Sequence, residues 1–209
     1  MRLVLALGLL ASACAVASHG EAADAPGSDG TPHDAAVTVA HDAPAANPCA
    51  FTGALATWDL TGQPGTQATT AATAMASGVT AGALTRTATL TAVAAANAIN
   101  GSSWPTAAQA DTTKYFAFSL TPPLGCAISI TSLAIDVKSS ATGPATAVVA
   151  TDADGYATRT PVSTTAASTP TLAVDATTAR QLRVYGYSAT GASGTMRIQN
   201  TLTITGSVH

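Results

Sequence analysis

Residues 196–208 read MRIQNTLTITGSV. Met196, Ile198, Leu202, Ile204 and Val208 share one parity, and Arg197, Gln199, Thr201, Thr203 and Thr205 take the other. Successive side chains of a strand point to opposite faces, so this run predicts a strand with one face in a core and one in water. The same alternation recurs upstream. In RQLRVYGYS, Leu182 and Val184 stand against Arg183, Tyr185 and Tyr187; in KYFAFSL, Phe116, Phe118 and Leu120 stand against Tyr115, Ala117 and Ser119. CAISITSLAIDVK changes parity between Ile130 and Leu133, which predicts a bulge or two strands meeting at a bend.

Shorter strands are expected over residues 54–60, 83–92, 145–151 and 171–174. Turn signals separate them at Gly62-Gln63-Pro64-Gly65, Asn100-Gly101, Pro122-Pro123-Leu124-Gly125, Gly143-Pro144 and Asp154-Gly155. The Ala-rich run 71–77 is expected to form at most one helical turn. About eight short alternating strands in about 160 residues predict an all-β fold, an antiparallel β-sandwich.

The N-terminal end has a different character. Arg2 precedes an apolar run from Leu3 to Ala11 that ends in small residues. That is the order of a secretory signal peptide, over residues 1–13, and the run is shorter than the roughly 20 residues a membrane span needs. Two cleavages compete. Ala11-Ser12-Ala13 suits ordinary signal peptidase, while Leu10-Ala11-Ser12-Ala13-Cys14 resembles a bacterial lipobox with Ala11 where Leu is usual. In the second, Cys14 becomes a lipidated N-terminus, each buried CH₂ contributing ~0.8 kcal/mol of membrane affinity. Plain secretion is the alternative.

Residues 14–47 then form an acidic tether. Glu21, Asp24, Asp29, Asp34 and Asp42 have no basic counterpart between Ala15 and Asn47, and no aromatic residue or apolar periodicity appears. Such a segment is expected to be disordered and extended. The domain, residues 48–209, has six acids and seven bases, so the formal net charge of −3 belongs to the tether. No basic run of the kind that binds nucleic acid is present. With Cys14 removed or lipidated, Cys49 and Cys126 remain as a pair in an oxidising compartment, where a disulfide is expected. Two separate buried thiols are the other reading.

The stretches ALATWDLTGQPGTQATTAATAMASGVTAGALTRTATL, NAINGSSW, KYFAFSLTPPLGCAISITSLAIDV, SSATGPATAVVATDADGYAT and ITGSV together resemble a family of secreted bacterial β-sandwich domains. Members open on a Trp-Asp-aromatic-x-Gly strand, here with Leu60 at the aromatic position, and lack the cysteine pair. The resemblance spans residues 52–208. It implies a jelly-roll-like sandwich in surface and exported proteins, comparable to carbohydrate-binding modules and mostly without known activity.

The chemistry expected of the domain is narrow. The chain's histidines are His19, His33 and His41, ahead of the domain, and His209, the last residue; the chain's one glutamate, Glu21, is in the tether. This removes the Ser-His-Asp and Cys-His arrangements and the usual His-based zinc sites. Asp152-x-Asp154-Gly155 matches the start of a calcium loop, without the closing acid such loops carry, and equally matches a hairpin turn. Calcium there would be structural. The scarce aromatics give the other lead: Trp58 belongs to the core by parity, Trp104 lies in an apparent loop, and Tyr185 and Tyr187 oppose the apolar parity of their strand. Trp104, Tyr185 and Tyr187 are the candidate surface for stacking on sugars. The expectation is a non-catalytic, surface-exposed envelope lipoprotein with a structural or adhesive role, anchored in the outer membrane. The alternative is a carbohydrate-binding module. Its partners would be the membrane, an extracellular glycan or an envelope protein.

Overall fold

The computed structural model describes Asn47 and residues 49–209. Cys14, the leader and most of the tether lie outside the described residues. The chain runs through β1 (Phe51–Asp59), β2 (Pro64–Gly65), β3 (Thr69–Thr70), β4 (Ala74–Met75), β5 (Thr80–Ala81), β6 (Leu84–Arg86), β7 (Thr91–Ala92) and β8 (Ala98–Ser102). It continues through β9 (Tyr115–Thr121), β10 (Ile128–Ser139), β11 (Pro144–Thr151), β12 (Thr160–Val162), β13 (Ala167–Ser168), β14 (Thr171–Ala176), β15 (Arg180–Ala189) and β16 (Met196–Val208). These strands make two sheets, one of nine strands and one of seven, packed as a β-sandwich. The strand expected over residues 83–92 is instead two short ones, β6 and β7, parted by a turn, and β8 stands where a turn is expected. Eight strands have five or more residues, and the other eight have two or three and trim the sheets' edges.

β16 is the middle of the first sheet. β10 pairs along one side of it from Ile128↔Val208 to Ser139↔Met196. The other side is shared: β8 takes Met196 to Gln199, and β1 takes Thr201 to Val208. The change of partner falls at Asn200, whose φ is +60°. Asn and Asp tolerate this left-handed conformation better than other side chains. Here the Asn200 amide donates to Asn97 O (2.9 Å) and its carbonyl accepts from Leu60 N (2.8 Å), tying three segments at one residue. The Gln199 and Asn200 side-chain amides both donate to Asp136 Oδ2 at 2.8 Å.

The parity change in β10 is a bulge: the register with both β14 and β16 shifts between Ile130 and Ser132. Opposite it, Gly206 is an obligate glycine, because a Cβ there would fall onto Ser129 O and against Leu55. The predicted alternation of β16 holds, with Met196, Ile198, Leu202, Ile204 and Val208 all buried. They meet Leu182, Val184, Phe116, Phe118 and Leu120 of the second sheet in one core. Trp58 is fully buried in that core, tilted against Phe118 at 5.3 Å, and its indole N–H donates to Gly82 O at 3.1 Å.

Two local expectations give way to tertiary pairing. Asn100-Gly101 is not a turn but part of β8, antiparallel to Arg197 and Met196. Ala74–Met75 is a strand on β1 rather than helix, since it supplies partners for Ala56 and Thr57. Arg86 holds the irregular segment around them. Its Nη1 donates to the Gly65, Gln67 and Asn100 carbonyls at 3.2, 3.0 and 2.8 Å, and its Nη2 to Thr66 O at 3.0 Å. Burial pushes this guanidinium's pKa down from its ordinary value.

Cys49 and Cys126 form a disulfide across a sequence separation of 77 residues, joining the domain's entry to the start of β10. On the chain-entropy model a loop of that size gives about 4–5 kcal/mol. The double variant C49A/C126A is therefore expected to lose about that much unfolding free energy. Urea denaturation of the two proteins side by side checks it, and a loss below about 1 kcal/mol would contradict the entropic account.

Candidate functional site

The outward face of the second sheet is not a plain solvated surface. β9, β15 and β11 lie side by side, and Tyr185 sits opposite Tyr115 on one neighbour and Val148 on the other. Arg183 sits opposite Ala117 and Ala150, and Tyr187 opposite Thr146. Val148, Ala150 and Tyr185 are buried there as a second apolar cluster, with Ala110, Tyr115, Tyr156 and Tyr187 partly buried around it. Two connections supply the cover. Ala110 comes from the segment before β9, and Tyr156 from the one after β11.

Arg183 is the centre of this face. Its guanidinium lies 4.1 Å from the Tyr115 ring centroid and 4.0 Å from that of Tyr156. Each such contact is worth roughly 0.5–2 kcal/mol according to its exposure. The Arg183 Nε donates to Gln181 Oε1 at 2.8 Å, and the Tyr156 hydroxyl donates to the same oxygen at 2.8 Å. Tyr115 and Tyr185 meet edge to face at 5.6 Å, and Arg159 stands 5.7 Å from the Tyr185 ring. Burial opposes the Arg183 charge, but the Tyr185 hydroxyl and the surrounding tyrosines outweigh it, so its pKa rises. Burial raises the Tyr156 hydroxyl's pKa, against the pull of Arg183.

Tyr156 reaches this position at a local cost. Its φ is +67°, uncommon for a bulky side chain, and it follows Gly155 at +69°. Backbone of this kind costs on the order of 1–3 kcal/mol and persists where surroundings fix it. The fixing contacts are the Arg183 stack, the Gln181 bond and the amide's own bond to Thr151 O (2.8 Å).

The same connection begins with a 3-10 turn, Asp152–Asp154. The Asp154 carboxylate accepts the amides of Ala157 (3.1 Å) and Thr158 (2.8 Å), so it closes its own loop. Among the described residues no group of three or more His, Cys, Asp or Glu is placed to hold a metal ion. Beside Asp154 a cleft of about 340 Å³ opens between β11–β12 and β14, lined by Thr151, Thr158, Thr160, Thr171, Leu172 and Val174 among others.

Two predicted contact residues are corrected. Trp104 is 2% exposed, packed edge-on to Phe116 at 5.4 Å, with its indole N–H donating to Gly101 O at 2.8 Å. It plugs the core, because so large an apolar surface is worth more buried once its one polar atom has a partner. Tyr185 faces outward as parity suggested but is 1% exposed beneath its neighbours. Tyr187 keeps a partly exposed ring on that face. Arg183, Arg159, Gln181, Tyr115 and Tyr156 were not assigned to the site from sequence. The odd parity shared by Gln181, Arg183, Tyr185 and Tyr187 was the available signal; the cross-strand register that adds Tyr115 was not.

No protein-family model, curated protein or solved structure matches the chain.

Trp104→Ala is expected to cost about 3–5 kcal/mol of stability, as for other buried large-to-small changes. A loss under about 1 kcal/mol in urea denaturation would place the ring at the surface instead. Hydrogen bonds from the Thr61, Thr113 and Thr158 segments hold the Asp59, Asp111 and Asp154 carboxyls below their ordinary value of 3.8. A carboxyl depressed in the folded state adds stability above its unfolded pKa, and this fades as pH falls through the folded value. Stability should therefore decline as pH drops below about 4, and Asp154→Asn should flatten that decline. Thermal midpoints measured from pH 6 to pH 2 test this, with identical slopes for both proteins as the contrary result.

Proposed function

We propose that the chain is an exported, non-catalytic β-sandwich of the cell envelope, anchored by lipid at Cys14, with a structural or adhesive role. The observation that carries the reading is the Cys49–Cys126 disulfide. Bridges of this kind form and persist outside the reducing cytosol, and this one sits where the tether enters the domain. The leader ahead of Cys14, the acidic spacer and the resemblance to secreted surface sandwiches point the same way. The absence of histidine and glutamate from residues 48–208 leaves the common acid–base and nucleophilic arrangements without their usual members.

A second reading, glycan binding, is favoured by the outward layer of the second sheet. Tyrosine rings stack on the apolar faces of sugars, and here Tyr115 and Tyr187 stand on the sheet's outer face while the connection after β11 brings Tyr156 against Arg183. This is the carbohydrate-binding alternative with its contact face moved from Trp104 to the tyrosines. Asp152 and Asp154 contribute to it as the turn that presents Tyr156.

Intact mass of the mature protein, alkylated without reduction, tests the first reading. The expected mass begins at Cys14, includes acyl chains and shows no added alkyl group. A lipid-free mass would contradict the anchor, and alkylation at Cys49 and Cys126 would contradict the bridge.

A further inference from the structure

Resting on the glycan reading of the outer face, we propose that its ligand is an acidic sugar, a pyranose bearing a carboxylate. The Arg183 fork binds that carboxylate, and the neighbouring tyrosine rings wall the sugar.

Three features of Arg183 carry this. Its guanidinium lies 4.1 Å from the Tyr115 ring centroid and 4.0 Å from that of Tyr156, and its Nε is bonded to Gln181. The plane is therefore fixed before any ligand arrives, which removes much of the side-chain entropy that binding would otherwise cost. The Tyr185 hydroxyl also lies against the guanidinium, and its Nη1–Nη2 edge offers a ligand parallel donors of the kind that match a carboxylate. Among the described residues, no carboxylate accepts a hydrogen bond from Arg183.

The charge around it completes the argument. Arg159, itself exposed, stands over Tyr185 in the same cluster. The acid whose charge reaches Tyr156 is Asp152, and its Oδ1 is enclosed and without a hydrogen-bond partner. Two arginines thus stand against these tyrosine rings, and neither donates a hydrogen bond to a carboxylate among the described residues. A neutral sugar laid on this face would cover a cation without matching it, which is costly. A carboxylate restores the match. Tyr187, four residues along the same strand face from Arg183, keeps a partly exposed ring on which an adjoining sugar of an acidic polymer can stack.

The test is affinity electrophoresis and calorimetry of the full chain against polygalacturonate, alginate and hyaluronate. Fully methyl-esterified polygalacturonate, a panel of neutral polysaccharides and polyglutamate are the comparisons. At least one polyuronate is expected to bind ten-fold or more tightly than the neutral polymers, the methyl ester and polyglutamate. Arg183→Gln is expected to erase that preference, and Arg183→Lys, with charge but no fork, to recover only part of it. These comparisons use the unaltered protein first, so they stand even where a variant fails to fold. Neutral polymers or the ester binding as tightly as the polyuronates would overturn the acidic ligand and leave the glycan reading in place. Polyglutamate binding equally well would reduce the effect to charge attraction and overturn it too. Binding to no polysaccharide at all would overturn both.

Discussion

The sandwich depends on one strand being paired along its whole length on both sides. Met196–Val208 gives its buried residues to the core and its backbone to three other strands. Ile128–Ser139 covers one edge from end to end, and the other edge is divided between Ala98–Ser102 and Phe51–Asp59 at Asn200. The left-handed backbone there lets the ladder change partners while the Asn200 N–H finds Asn97 O and its carbonyl finds Leu60 N. An unpaired buried polar group would cost about 1–3 kcal/mol. The opposite edge carries the bulge at Ile130, and its close backbone approach fits only because residue 206 has no side chain.

With that strand fixed, the second sheet's inward face is committed to it. The outward face then has to accommodate what the alternation places there, which is a line of tyrosines and arginines instead of the usual Thr and Ser. The protein covers them with two connections and gains a small second layer. Arg183 is the part of that layer most sensitive to its surroundings, because its two rings, its Gln181 bond and the strained Tyr156 backbone hold one another in place. The core packing and the Arg183 layer are therefore built on the two faces of the same three strands.

Much of this was legible in the residues. Alternation in β9, β15 and β16 assigned which side chains enter the core, and the slipped parity of Ile130 and Leu133 located the bulge. Trp58 declared its burial by sharing parity with Ala56 and Leu60. The failures have a common cause, since local rules see neighbours in sequence and these positions are decided by neighbours in space. Asn100-Gly101 is a strong turn signal that cross-strand pairing with Arg197 and Met196 overrides. Trp104 follows it in a loop-like stretch and turns inward because Phe116 and Gly101 O are there to receive it. The Arg183 layer needed the register of three strands, which no periodicity contains.

Hydrogen exchange of the native protein tests the central role of β16 most directly. The Leu202 and Ile204 amides should exchange only through global unfolding, with the protein's full stability, while the amides of the Asp152–Asp154 turn exchange far sooner. Exchange of Leu202 and Ile204 through a cheaper local opening, with the second sheet still protected, would show that the sandwich stands without that strand and contradict the account.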